Sequence, residues 1–452
     1  MSESRKTLIF VGAAVVLVAL AFLTAPRTST PNAFLDQGEA FFPEFTDPNA
    51  ARTLEVIDFN AETGSATPFK VTFKNGKWSI PSHFDHPADG KDRLAKTAAG
   101  VIEVKKDDFR SDNASDHEAC GVIDPLDQAT TSVTGRGQRV TIRGENDVVL
   151  ADLILGKAIE GREGFRFVRV PDQKRVYASR VDIEISTQFK DWIESDLLLV
   201  DKDAIDHVVL KDYSINERTR QLDERDVLVL RKEGDTWTAN RMKAGQEVDA
   251  AEVGQMLTAL DELSIEGVRP KPPGLSVSLE KSSGDLEINT ANVLELQSKG
   301  YYFTRDGRLV SNEGELEVRT RDGVTYTLRF GEIVYGSGDA VSAGTGEGDR
   351  GGPGENRYLF ITTRFDPTLF PEPAKPQNTY FVNRPDSLWT DDDKRNKGLQ
   401  DAHENWKTRQ AERQKISDDL NARFANWYYV ISSESFDKLH KTRRDLLQEK
   451  KS

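Results

Sequence analysis

His83-Phe84-Asp85-His86 is the one place where this sequence sets potential metal ligands close together. Two imidazoles at i and i+3 with a carboxylate between them could reach a single zinc-like ion. A working site needs a third fixed ligand, and none stands at a recognised spacing. His83, His86 and Asp85 are therefore weak metal candidates, and a polar loop between elements is the simpler reading. Other reactive patterns are weaker still. Ser278-Leu-Glu-Lys281 has the Ser-x-x-Lys spacing but lacks the companion motifs that acyl transfer requires. Nine glycines between Gly331 and Gly354 invite comparison with a phosphate loop. They come without Gly-Lys-Ser/Thr, and with Asp339, Glu347, Asp349 and Glu355, which would repel phosphate. Cys120 is the sole cysteine, so no internal disulfide is available; with a neutral His117 and an acidic Glu118 nearby, it reads as a small buried residue. The sequence thus points to a non-catalytic chain with no catalytic residue, no cofactor and no metal.

The elements that carry these residues repeat. Phe69-Lys-Val-Thr-Phe-Lys-Asn-Gly-Lys-Trp78 and Val227-Leu-Val-Leu-Arg-Lys-Glu-Gly-Asp-Thr-Trp237 end on tryptophans 159 residues apart. The same interval carries Leu94, Ala98, Val101, Glu103 and Val104 onto Val253, Leu257, Leu260, Glu262 and Leu263. A register shared across strand, turn and helix predicts duplicated modules. In the first, strands are predicted at Thr53–Phe59, Pro68–Lys74, Arg139–Arg143, Val148–Ile154, Phe165–Val170 and Arg175–Ala178. A helix is predicted from Asp89 to Val104 with Leu94, Ala98, Val101 and Ile102 on its apolar face. In the second, Ile205–Leu210 and Val227–Leu230 open the sheet and Val248–Leu263 forms the helix. Gly156 and Gly331 are then matched at an interval of 175, which places an insertion of 16 residues within Ser276–Leu309. Short punctuated strands beside one amphipathic helix predict an α+β fold of antiparallel sheet plus helix.

Charge and hydropathy give the address. The net charge of −14 disfavours nucleic acid. Residues 391–452 carry +2, leaving −16 on 1–390, so any anionic contact falls to the C-terminal tail. Leu8–Leu23 has no charged or strongly polar side chain and spans about 24 Å as a helix. Arg5 and Lys6 precede it, while Asp36, Glu39, Glu44 and Asp47 follow. Positive residues stay cytoplasmic, so the rest of the chain is expected outside a bacterial inner membrane, in the periplasm, on a single uncleaved signal anchor. A cleaved signal peptide is the rival, but Leu23-Thr-Ala-Pro-Arg27 lacks a clean small-x-small site.

The predicted organisation is a cytoplasmic stub (1–6), a transmembrane anchor (7–24) and a linker (25–50) whose Phe41-Phe42-Pro43-Glu44-Phe45 docks on the first module. Repeat 1 (51–200) and repeat 2 (201–375) follow, the latter with the glycine-rich loop 336–354. A C-terminal helical segment (376–452) closes the chain. In that segment Asp392–Ala425 reads as one long amphipathic helix that is poor as a coiled coil, Trp427–Ile431 as a strand, and Ser433 as the cap of a helix through Leu447.

With these residues in view, the chain resembles the bacterial family called domain of unknown function 4340. The resemblance rests on Asn75-Gly-Lys-Trp78, Gly121-Val-Ile-Asp124-Pro125, Leu153-Ile-Leu-Gly156-Lys157, Phe165-Arg-Phe-Val-Arg169 and Phe189-Lys-Asp-Trp192. Ile80-Pro-Ser-His83, Pro87-Ala-Asp89 and Trp427-Tyr-Tyr-Val-Ile-Ser432 are similar to a planctomycete-type version. The resemblance implies one membrane helix, repeated α/β modules and an accessory role beside gliding-motility-type ABC transporter components. It brings no catalytic residues. The leading expectation is a membrane-anchored periplasmic interaction protein of an ABC-type permease assembly. The alternative is an envelope-ligand binding module using a cleft between the repeats.

Overall fold

The computed structural model describes residues 36–216, 219, 221–280, 290–336, 339–343 and 355–450. The apolar run Leu8–Leu23 and its flanks lie outside them, as do most of the glycine-rich loop and Lys281. No helix among the described residues is long and apolar enough to cross a membrane. The fold is mixed α and β, with antiparallel sheets and one long helix near the C-terminus. The chain divides into two compact units that are not simple halves of the sequence: unit 1 takes residues up to 70 and 91–185, and unit 2 takes 71–90 and 186 onward.

The first nine strands are β1 (Thr53–Asn60), β2 (Ser65–Lys74), β3 (Lys77–Ile80), β4 (His86–Pro87), β5 (Asp108–Ser111), β6 (Gln138–Arg143), β7 (Val149–Ala158), β8 (Phe165–Arg169) and β9 (Val176–Arg180). In unit 1 the order is β1-β6-β7-β8-β9-β5, and each of these pairings is antiparallel. Leu54, Val56, Val140, Ile142 and Leu153 point inward at alternate positions and are buried, as period-2 patterning requires. The helix Lys91–Glu103 buries Leu94, Thr97, Ala98 and Val101, an i, i+3, i+4, i+7 stripe. Thr97 is buried on this stripe while Ile102 is only half-buried; the Thr97 hydroxyl donates to Glu184 O at 2.8 Å, which satisfies a polar atom inside the core. Phe41 and Phe45 are buried on unit 1, Phe41 edge-on to Tyr177 at 5.3 Å, as the apolar linker predicted.

Unit 2 contains β10 (Ile205–Asn216), β11 (Gln221–Glu233), β12 (Thr236–Ala239), β13 (Gln246–Val248), β14 (Gly267–Pro270), β15 (Tyr301–Phe303), β16 (Leu309–Ser311), β17 (Glu315–Thr320), β18 (Val324–Val334), β19 (Asn356–Phe365), β20 (Trp427–Ile431) and β21 (Leu447–Glu449). Its main sheet runs β12-β11-β10-β17-β18-β19-β20-β14. Asp249 caps the helix Ala250–Asp261 by accepting from Ala251 N and Glu252 N, and Val253, Met256, Leu257 and Leu260 are buried beneath it.

Two C-terminal expectations change. The strand β20 is not part of a helical appendage; it is an interior strand between β19 and the edge strand β14, with all five residues buried. The long helix Asp391–Ala425, about 52 Å at 1.5 Å per residue, is therefore an excursion between two neighbouring strands. Its start is fixed by a Thr390–Asp393 capping box. The final helix is capped by Ser432 and stops at Leu439. A second capping box, Thr442–Asp445, starts a short turn, and β21 then pairs with β13. Arg443 secures this end, bonding Asp226 at 2.7 Å and Asn240 O at 2.7 Å.

Candidate functional site

The histidine loop belongs to unit 2, and its backbone explains where each side chain goes. Pro81 starts a single 3-10 turn, and Phe84 and Asp85 then both adopt left-handed φ of 60° and 58°. Two such residues in a row turn the chain back, so that His86-Pro87 pairs with Ile80 and Ser79. His83 and His86 are carried inward and buried; Phe84 is left exposed and Asp85 faces outward, accepting from Ser79 Oγ at 3.4 Å. The carboxylate that the sequence places between the imidazoles is thereby turned away from them.

His83 stacks on Phe189 with ring centroids 4.6 Å apart and planes 13° from parallel. Its Nε2 lies 3.0 Å from Ser342 Oγ and its Nδ1 3.1 Å from Ser82 Oγ. His86 meets Phe189 edge-on at 5.2 Å and Trp427 at 4.8 Å, and its Nδ1 donates to Pro87 O at 2.8 Å. Burial holds both imidazoles down to a pKa of about 4; Arg269 adds to the effect on His83, and His83 and Arg423 add to it on His86, against the Pro87 carbonyl. Both rings are neutral at pH 7.

This arrangement brings His83 and His86 together and leaves Asp85 apart. No group of three His, Cys, Asp or Glu residues that could hold a metal is assembled among the described residues. The Ser342–His83 contact resembles half of a nucleophile–base pair, but Nδ1 is turned to a hydroxyl where an orienting carboxylate would be needed. An imidazole with a pKa of about 4 is also a poor general base at neutral pH.

The motifs that carry the family resemblance are packing devices. Gly121 sits at φ 70°. A Cβ on Gly156 would lie 2.5 Å from Cys120 O and from Val122 Cγ1, inside the small core of Cys120, Val122, Ile154 and Val176. Cys120 is buried and its thiol pKa is raised by that burial, in keeping with an inert role. Asp124 accepts from Arg139 at 3.0 Å, and Arg136 gathers the loop by donating to the carbonyls of Asp124, Asp127 and Thr130. Gly156→Ala should cost about 2–3 kcal/mol in unit 1, because backbone and not a flexible side-chain end must yield; chemical denaturation of the variant checks it.

Trp78 and Trp237 occupy the same register position on their hairpins, Trp78 opposite Phe73 and Trp237 opposite Lys232. Trp78 is half-buried against Phe73 at 5.2 Å, whereas Trp237 is buried. The tryptophan that the sequence pattern undervalued is Trp192, fully buried, whose Nε1 donates to Ser186 O at 2.9 Å. Its place at the end of Phe189-Lys-Asp-Trp192 was the available signal.

The chain is thus a protein of two mixed α/β units in which Gly156, Trp192, His83 and His86 all sit in packed surroundings. Residues 78–278 match the model of a family described as a domain of unknown function (DUF4340). No curated protein and no solved structure matches the chain.

Proposed function

We propose that this chain is a non-catalytic, membrane-anchored interaction protein of the cell envelope, built by duplication of one α+β module. The strand order supports duplication: β1-β6-β7-β8-β9-β5 in unit 1 has its counterpart in β10-β17-β18-β19-β20-β14 in unit 2. The helices Lys91–Glu103 and Ala250–Asp261 start 159 residues apart, as do the edge strands at Asp108 and Gly267. Phe73 and Lys232, the partners of the two tryptophans, stand at the same interval.

One observation carries the interaction reading. The excursion between β19 and β20 exposes Tyr380, Val382 and Leu388, each more than 60% accessible, on turns that are otherwise firmly held. Phe381 is buried against Trp389, Trp389 Nε1 donates to Arg384 O at 2.9 Å, and Arg384 pairs with Asp393 at 2.5 Å. Large apolar side chains displayed on a braced turn are a feature of contact surfaces. An ABC-type permease assembly is the partner that the family resemblance suggests, with the chain held at the inner membrane by Leu8–Leu23 and its bulk in the periplasm.

Affinity purification from detergent-solubilised membranes tests this. Permease and ATPase subunits should co-elute with the wild-type chain and be depleted at least tenfold with Tyr380→Ala/Val382→Ser/Leu388→Ser. Equal recovery with both chains would reject the surface, and elution of the wild type alone would reject the assembly. The topology has its own check: a C-terminal alkaline phosphatase fusion should be active, and a mature N-terminus near Ala25 would remove the anchor.

A further inference from the structure

The ring contacts that seat the loop of His83 and His86 in unit 2 are made by two neutral imidazoles. The loop's outer strand β4 has two residues and pairs only with β3. Beyond that backbone pairing, His83 rests on Phe189 and Ser342, and His86 lies between Phe189 and Trp427. The charges bearing on the rings are both positive: Arg269 from β14 and Arg423 from the end of the long helix. Arg269 donates to Ser342 O at 3.2 Å, beside the hydroxyl that meets His83. Four carboxylates on the neighbouring segments have other partners. Asp85 turns to Ser79, Asp191 accepts from Ser186, Glu194 pairs with Arg423 at 2.8 Å, and Glu266 pairs with Lys190 at 3.8 Å. A proton on either ring therefore enters an aromatic pocket already flanked by guanidinium groups.

We propose that the turn Pro81–Pro87 is an acid-released latch: seated on Phe189, Trp427 and Ser342 while both imidazoles are neutral, it lifts away on their double protonation while the main sheet of unit 2 stays folded. Release uncovers the ring faces of Phe189 and Trp427. The direction follows from linkage. The seated pKa of each imidazole, about 4, lies below the ordinary 6.5, so the released form binds protons first. Seating is fully favoured above pH 6.5, weakens as pH falls from 6.5 to 4, and changes little from these two groups below that. Three amides report it directly: Asp85 N to Ile80 O at 3.1 Å, Ala88 N to Trp78 O at 3.1 Å, and Asp89 N to Trp192 O at 2.8 Å.

Hydrogen exchange of the full chain at pH 7, 5.5 and 4, corrected for the intrinsic pH dependence of exchange, is the test. The opening equilibrium at Asp85, Ala88 and Asp89 should rise at least about 100-fold between pH 7 and 4. Amides of β17, β18 and β19 should stay protected. His83→Phe/His86→Phe should flatten the response. Should that double variant fail to fold, Arg423→Gln and Arg269→Gln carry the test, since removing a facing positive charge lets the seated ring hold its proton more easily and must move the release midpoint to lower pH. Loss of loop and sheet protection in one step, a loop indifferent to pH, or an unmoved midpoint in both arginine variants would overturn the latch.

Discussion

Trp192→Ala should destabilise unit 2 by about 3–5 kcal/mol, the usual range for emptying a fully buried indole site. Trp192 has no exposed surface and closes a 3-10 turn, Phe189–Trp192, whose other anchor Phe189 is also buried. Its carbonyl accepts from Asp89 N at 2.8 Å and its ring lies 3.6 Å from the position a Cβ on Gly90 would take. One residue thus ties the 186–192 turn to the 88–90 segment by backbone and by packing. Trp192→Phe should cost about 1–2 kcal/mol, because it keeps an aromatic filler but leaves Ser186 O without the indole N–H. Denaturant titration followed by exchange at β18 amides separates the cases. A loss below 1 kcal/mol for the alanine variant would mean that the turn repacks freely around the vacancy.

Periodicity made the strands and helices legible, and it failed where a side chain's role is set by a distant partner. Leu94, Ala98 and Val101 were found because helical spacing of apolar residues needs no knowledge of the partner. Thr97 was missed because its inward position depends on the carbonyl of Glu184, 87 residues away. The pattern of Trp427–Ile431 marks it as a strand, yet its pairing on both sides, with β19 and β14, is hidden from the sequence. A 61-residue excursion, 366–426, separates it from β19, and local pattern carries no information on such a pairing. The histidine cluster shows the same limit at the level of the site. His-Phe-Asp-His spacing suggested one shared ion, but two left-handed residues, Phe84 and Asp85, send the carboxylate to the opposite side. Neither is a glycine, so nothing in the sequence marked the reversal. Conversely, Asn75-Gly76 is a strong turn signal, and both residues have positive φ at the β2–β3 hairpin.

Lys271→Ala should cost about 3–5 kcal/mol, and Lys271→Met about 1–2 kcal/mol, a split that assigns most of this residue's value to packing. Lys271 is buried where the long helix ends. Its backbone N donates to Asn426 O at 2.8 Å, and its Nζ donates to Phe424 O at 3.0 Å. The Nζ also lies 3.9 Å from the centre of the Phe360 ring and 5.5 Å from that of Tyr428. Burial pushes its pKa well below the ordinary lysine range. The helix's C-terminal carbonyls and the two ring faces favour the charge and oppose that push. The alanine variant would leave a cavity beside Phe360 and Tyr428 and remove one of two donors to the Phe424 carbonyl, the other being Asn426 N. Methionine restores the volume and loses only the hydrogen bond and the charge. Both costs are read from urea denaturation, and exchange at the last turn of Asp391–Ala425 should rise in both variants. If methionine proved as damaging as alanine, the ammonium, and not the stem that fills the core, would be what holds the helix end in place.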